Sequence, residues 1–196
     1  SIARGTPALL AAACITSRAL GIEAPQALVC GDIGRGDGSS LIYRHLSERL
    51  HTLSPDLIVY HYLQPDVDWH NRIHLRTEDL GRKPVLIADA GYMYVAKMSG
   101  LASCYDLFTP DAGELAFLAD ETAPHPFYTR GFILQEEDRV PELIQWAYAH
   151  DDASRFLLVK GRCDVVASRE GVLERVCDPC VESMEPIGGT GDSLTG

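Results

Sequence analysis

One recurring pattern restricts this chain more than any other. Apolar runs of four to six residues alternate with segments of helix length, and each run ends in polar or glycine residues. The runs are PQALVC at 25–30, DLIVYH at 56–61, PVLIADAG at 84–91, CYDLFTP at 104–110 and FLLVKG at 156–161. So short a run suits a strand buried on both faces, and parallel neighbours need a long crossover that a helix supplies. The expectation is an α/β chain of three layers, αβα, around a mainly parallel sheet.

The helical segments can be read one by one. In TPALLAAACITSRALG, Thr6 is a plausible cap, Pro7 suits the first turn and Gly21 ends the helix, which is rich enough in Ala and Leu to be buried on more than one side. SSLIYRHLSERLHTL spaces Leu41, Ile42, Leu46, Arg49, Leu50 and Leu53 by threes and fours, and Ser54 and Pro55 stop it. Further helices fit 67–80, 92–102, 111–120 and 138–150. DVVAS and VLERV around a turn read as an antiparallel ribbon, and ETAPHPFYTRG at 121–131 as a long connection or a pocket cover. A chain of 196 residues without repeat or linker is expected to be a single domain.

Charge removes several function classes. With 17 Lys and Arg against 28 Asp and Glu the net charge is -11, which disfavours nucleic acid and anionic membrane surfaces as partners. No apolar window approaches the roughly 18 residues of a membrane span, and no secretory leader is legible, so the expected location is the cytoplasm. A few oriented donors can still hold one small anion. The cysteines at 14, 30, 104, 163, 177 and 180 are too dispersed for a disulfide scaffold, and CDPC reads as a solvent-side turn before it reads as a zinc or redox pair.

In open α/β sheets ligands bind beyond the carboxyl ends of the strands. There the sequence places Asp32, His61, Asp89, Asp111 and Lys160. HYLQPDVDWHNRIH adds Gln64, Asp66, Asp68, His70 and His74. That stretch could be a substrate loop, a polar surface, or a metal site in which His70 and His74 share a helix face with Asp66 nearby. In GDIGRGDG, Arg35 lies between Asp32 and Asp37, suited either to a substrate anion or to ion pairs within its own loop. The terminal GGTGD is the most specific: Gly188, Gly189 and Gly191 let amides turn toward one point, and a helix starting near Asp192 adds its own unpaired amides. Such a nest suits phosphate, and a carboxylate beside it suits proton abstraction; the plainer alternative is helix capping by Asp192.

MEPIGGTGDSLTG resembles the anion-hole motif of ribokinase-like small-molecule kinases, and its form in the nucleotide-dependent NAD(P)H-hydrate dehydratases of that superfamily. LFTPDAGELAFL is similar to the segment carrying their conserved glutamate, with Asp111 where the kinases have asparagine and the dehydratases histidine. FLLVKGRCDVVASREG resembles the strand and ribbon that approach the nucleotide, and LIADAG the aspartate-bearing strand end.

The resemblance implies a ribokinase-like domain over 1–196, incomplete after the anion-hole motif. Asp192 would be the base, with Gly189, Thr190 and Gly191 on the transferred phosphoryl group. Lys160, Gly161 and Gly188 would face the nucleotide. Glu114, Asp111 and Asp89 would act on Mg²⁺ and its waters, and Arg35, Asp37, His61 and Asp66 on the substrate. It implies ATP or ADP with Mg²⁺ and a small-molecule substrate, and it leaves a homo-oligomer open. The dehydratase glycine-proline-glycine-leucine-glycine loop is absent, with VYHYLQPDVDWH in its place, so kinase is read ahead of dehydratase and a silent nucleotide-binding protein third.

Overall fold

Residues 5–32, 35–123, 137–184 and 187–196 are described by a computed structural model. The elements in chain order are α1 (Thr6–Leu20), α2 (Asp37–Leu53), β1 (Leu57–His61), α3 (Val67–Glu78), β2 (Val85–Asp89), α4 (Gly91–Met98), β3 (Leu107–Phe108), α5 (Ala112–Ala119), α6 (Val140–Ala149), β4 (Phe156–Val159), β5 (Asp164–Ser168), β6 (Gly171–Val176) and α7 (Thr190–Thr195). They sort into two units: Ser1–Val29 with Cys177–Gly196, and Cys30–Val176. The connection expected at 121–131 falls outside the described residues from 124 onward.

The larger unit is an α/β fold whose mixed, mostly parallel sheet is flanked by helices. Six strands lie in chain order, β1 to β4 parallel and β5 and β6 antiparallel. The parallel crossovers run through α3, through α4, and through α5 and α6. Burial alternates along β2 and β4: Leu86 and Ala88 are buried while Val85 and Ile87 are not, and Leu157 and Val159 are buried beside half-buried Leu158. Period-two alternation presents one face to the core. That core joins Leu86, Ala88, Phe108 and Leu157 to Ile73, Met93, Phe117 and Ile144 from the helices.

Beneath β1 the core is aromatic. Tyr60 stacks on Tyr92 with ring centroids 4.1 Å apart, and Tyr43, Tyr105 and Trp69 extend the cluster. His70 is fully buried within it, its Nε2 2.8 Å from the Tyr105 hydroxyl and its Nδ1 2.8 Å from Ser99 Oγ. Ser99 already donates to the Val95 carbonyl, so Nδ1 carries the proton and Tyr105 donates to Nε2. Burial lowers the His70 pKa to about 4. Lys97, also buried, donates to the carbonyls of Phe117, Leu118 and Asp120, and so satisfies the orphan acceptors at the end of α5; Asp152 lies 3.4 Å from its ammonium. Burial lowers the Lys97 pKa and raises that of Asp152.

Local chemistry explains most element boundaries. Pro7 stands in the first turn of α1, and Gly21, at φ 67°, closes it by donating to Arg18 O. Asp66 caps α3, accepting from the Trp69 amide at 3.0 Å.

Four expectations need correction. PQALVC is not a strand: residues 22–32 form neither helix nor strand and are exposed throughout. A strand needs a hydrogen-bonding neighbour, which apolar composition does not supply. The fourth run, CYDLFTP, shrinks to Leu107–Phe108, because only those two residues stand in register with both β2 and β4. The buried stripe of α2 is Tyr43, Leu46 and Leu50, whereas Leu41 and Leu53 point outward. Cys163 and Cys177 are each disulfide-bonded.

In the smaller unit α1 lies against α7, and a Cβ added at Gly196 would fall 2.2 Å from the Leu9 carbonyl oxygen. Only a residue without a side chain allows that approach. Ala8, Leu9 and Ser17 of α1 are buried, but Ile15 and Leu20 are each 67% exposed, so α1 is not buried on several sides as its composition suggested.

Candidate functional site

In the larger unit the carboxyl ends of the parallel strands carry a compact set of charged groups. His61 ends β1 and Asp89 ends β2, and the two are register partners across the parallel ladder. His61 Nε2 lies 3.9 Å from Asp89 Oδ2. Lys160, just past β4, sets its ammonium 2.9 Å from Asp89 Oδ1, and that same oxygen accepts from the Ala90 amide at 2.8 Å. The side chains of Asp89 and Lys160 are only 2% and 14% exposed. The N-cap of α4 is Ala90, and Asp89 instead spends Oδ1 on Lys160 and on the amide that follows it. A buried ion pair is a weak stabiliser, because desolvation offsets most of its Coulomb gain, so its retention at a strand end is an argument for function.

The backbone beside these residues is strained. Tyr62, directly after His61, has φ 52°, and Ala90, directly after Asp89, has φ 52° and ψ -136°. Non-glycine residues seldom adopt such angles, and strain of this kind collects at functional sites. At the next position a Cβ on Gly91 would lie 2.9 Å from the Leu63 carbonyl oxygen, so α4 starts hard against the loop that follows β1.

Asp111 and Glu114 open α5 as a capping box. The Glu114 amide donates to Asp111 Oδ1 at 2.7 Å, and the Asp111 amide to Glu114 Oε2 at 2.9 Å. Asp111 also pairs with Lys160 as an isolated parallel bridge, which brings the box to the same rim of the sheet. Burial, reinforced by the Asp111 charge, pushes the Glu114 carboxyl up to about 8. Among the described residues Asp89, Asp111 and Glu114 do not gather their oxygens tightly enough to share one ion directly. Ordered water between ion and carboxylate suits Mg²⁺, which retains its hydration shell. His61 and Asp89 supply a nitrogen and an oxygen that a metal ion could use. Gly161 donates its amide to Asp164 at the turn into β5.

The glycine-rich stretch before α2 is organised by Asp32. Its carboxylate accepts from the amides of Arg35, Gly36 and Ser39, and so occupies the start of that helix. Arg35 and Asp37 are exposed beside it, and among the described residues neither side chain forms an ion pair with the other's loop. Asp66 is spent on capping α3 and His70 on the core, so Asp66, His70 and His74 do not form the metal site their spacing suggested. The loop after β1 is held to α2, with Tyr43 donating to Gln64 O and Ser39 accepting from the Gln64 amide.

In the smaller unit, α7 begins at Thr190 and its N-cap Gly189 has φ 102°. Among the described residues the amides of Gly188, Gly189, Thr190 and Gly191 donate to no oxygen. Asp192 Oδ2 accepts the Gly5 amide at 2.8 Å, a contact no sequence pattern announced. The strain at Tyr62 and Ala90, and the role of Lys97, also lay outside the sequence reading, because each depends on a partner distant along the chain.

Comparison with known proteins fits this architecture. The chain is 41% identical over 169 residues to uncharacterized protein MJ1337 of Methanocaldococcus jannaschii, covering 86% of this chain and 68% of that protein. The chain belongs to that protein's family. No protein-family model matches the sequence. Among solved structures it is similar to one described as the last common ancestor of HMPPK and PLK/HMPPK vitamin kinases, at 16% identity and a TM-score of 0.50, covering 84% of this chain and 76% of that one. Identity that low establishes the fold alone: a ribokinase-like three-layer α/β fold. No helix among the described residues is long and apolar enough to cross a membrane.

Proposed function

We propose that this protein is a small-molecule kinase that transfers a phosphoryl group from ATP or ADP to a hydroxyl with the help of Mg²⁺. The observation that carries the reading is the buried Lys160–Asp89 pair, with His61 beside it, at the carboxyl rim of a ribokinase-like sheet. That rim is where α/β sheets bind ligands, and a lysine there is a ready phosphate partner.

The residues divide the work by their chemistry. Lys160 and the Gly161 turn meet the nucleotide phosphates. Asp111 and Glu114 each keep one carboxylate oxygen beyond the capping box for waters of a bound Mg²⁺, and Asp89 orients Lys160. Bound Mg²⁺ would neutralise charge on the phosphates. On the resemblance, Gly189, Thr190 and Gly191 donate amides to the transferred group and Asp192 takes the hydroxyl proton. Arg35, Asp37 and His61 face the substrate in this reading, with Asp66 shaping its loop from the cap of α3. The acidic surface fits a small molecule as the only partner the reaction needs.

The test assays the protein with ATP and Mg²⁺ against sugars, vitamin precursors and hydrated NADH, and compares it with Asp192→Asn. The expected result is ADP with a phosphorylated product. Asp192→Asn should lower turnover on the order of 10²–10⁴-fold while nucleotide affinity holds, as expected for loss of a general base. Turnover unchanged in that variant would remove Asp192 from the chemistry. Release of inorganic phosphate with recovered NADH would assign the dehydratase reaction instead, which LFTPDAGEL also resembles. Absence of nucleotide binding would overturn both.

A further inference from the structure

A cavity in the larger unit lies at the amino ends of the parallel strands, away from His61, Asp89 and Lys160. It measures about 440 Å³ and opens between the loop before β4, the β5–β6 turn and Ser103. Ser168 pairs with Phe156 across the ladder, so the two sides of the cavity are joined through the sheet.

Its polar lining is unevenly spent. Arg169 is held in place, one guanidinium nitrogen donating to the Tyr148 carbonyl at 3.0 Å and another to Asp151. Glu170 accepts from the Ser168 hydroxyl, which holds its carboxylate at the turn between β5 and β6 with its negative charge uncompensated by an ion pair among the described residues. Ser154 is buried and donates to the Phe156 carbonyl. Arg155 differs from these. Its backbone is held through its amide, which donates to Tyr105 O. Its guanidinium lies 5.1 Å over the Phe156 ring, and among the described residues it has no acidic partner. In a chain of net charge -11, this exposed arginine, its guanidinium against an aromatic ring and without a carboxylate partner among the described residues, is a donor open to an added anion.

We propose that this cavity binds a small oxyanion, the carboxylate or phosphate group of a metabolite, with the Arg155 guanidinium as its principal donor and the Ser103 hydroxyl as a second. The cavity's volume accommodates a small metabolite, and the Arg155 guanidinium lies against the Phe156 ring beside it. Arg169, neutralised by Asp151, shapes the wall without competing for the ligand. The site stands independently of the kinase reading, since none of its residues belongs to the carboxyl rim.

The test is an amide NMR titration of the isotope-labelled protein with inorganic phosphate and, separately, with succinate, at ionic strength held constant by sodium chloride. At least one anion should give saturable shifts centred on Ser103, Ser154, Arg155 and Ser168. Arg155→Gln, which breaks no ion pair, should weaken that binding about tenfold or more, and Arg155→Lys should restore part of it. Saturation by phosphate alone assigns a phosphorylated ligand, and by succinate alone a carboxylate. Shifts no larger than those from chloride overturn the proposal. So does equal affinity in Arg155→Gln, or a response confined to Gly188, Gly189 and Thr190, which would report the phosphate nest and leave this cavity empty.

Discussion

Two histidines of the larger unit show how differently one fold can bury polar chemistry. His70, among the tyrosines, is neutral and hydrogen-bonded through both ring nitrogens to hydroxyls. His61, at the strand end, faces an aspartate that also holds a lysine. The first network pairs both ring nitrogens without a net charge and so locks α3 and α4 to the residues before β3, although the neighbouring Tyr60 and Tyr92 hydroxyls have no hydrogen-bond partner among the described residues. The second keeps formal charges where desolvation makes them expensive, beside two strained residues. The difference separates polar groups retained for packing from those retained for chemistry.

The comparison is broken most directly at Asp89. Asp89→Asn strands the Lys160 ammonium without its partner, and urea unfolding should show a loss of roughly 3–5 kcal/mol, the usual effect of leaving one buried charge unpaired. Adding Lys160→Met should recover much of that loss. A single variant as stable as wild type would mean that the pair is solvated and that the contrast with His70 is false.

His70 gives the next effect, read through pH. Its folded pKa of about 4 lies below the ordinary 6.5, so between these values the unfolded chain binds the extra proton. Stability from this group is complete above pH 6.5 and is lost as pH falls toward 4, by up to about 3 kcal/mol. His70→Gln should flatten that part of the stability profile measured by denaturant unfolding. Glu114 runs the other way: its folded pKa of about 8 means that stability declines as pH rises from 4.5 to 8, and Glu114→Gln should remove that decline. A profile unchanged by both variants would show that neither group titrates in a buried setting.

The smallest effect belongs to Ala90. Relieving φ 52° and ψ -136° with Ala90→Gly should stabilise the fold by about 1 kcal/mol, seen as a raised Tm. If the strain serves the site, the same variant should lower nucleotide affinity or turnover while it gains stability. A gain in both would reduce Ala90 to a tolerated defect.

Much of this architecture was legible in order. Pro7 and Gly21 bracketed the first helix, DLIVYH, PVLIADAG and FLLVKG became β1, β2 and β4, and DVVAS with VLERV became the antiparallel pair, since each signal is local. The same logic failed at PQALVC, whose residues are as apolar as those of β2 but gain no ladder partner. At the rim the sequence nominated His61, Asp89, Asp111, Glu114 and Lys160 without saying which would touch. It also nominated Asp66 and His70, whose side chains went to a helix cap and to the core.

By itself the sequence determined the alternation of strands and helices, the acidic surface and the residue types at the strand ends, because periodicity, capping and charge act over a few neighbouring positions. Only the tertiary structure decided that Asp89 pairs with Lys160, 71 residues away, that Lys97 seals the end of α5, and that Arg155 finds no carboxylate among the described residues. Partners so far apart are chosen by how the strands stack and where the core leaves room, and the energy of a buried charge depends on the whole of that surrounding.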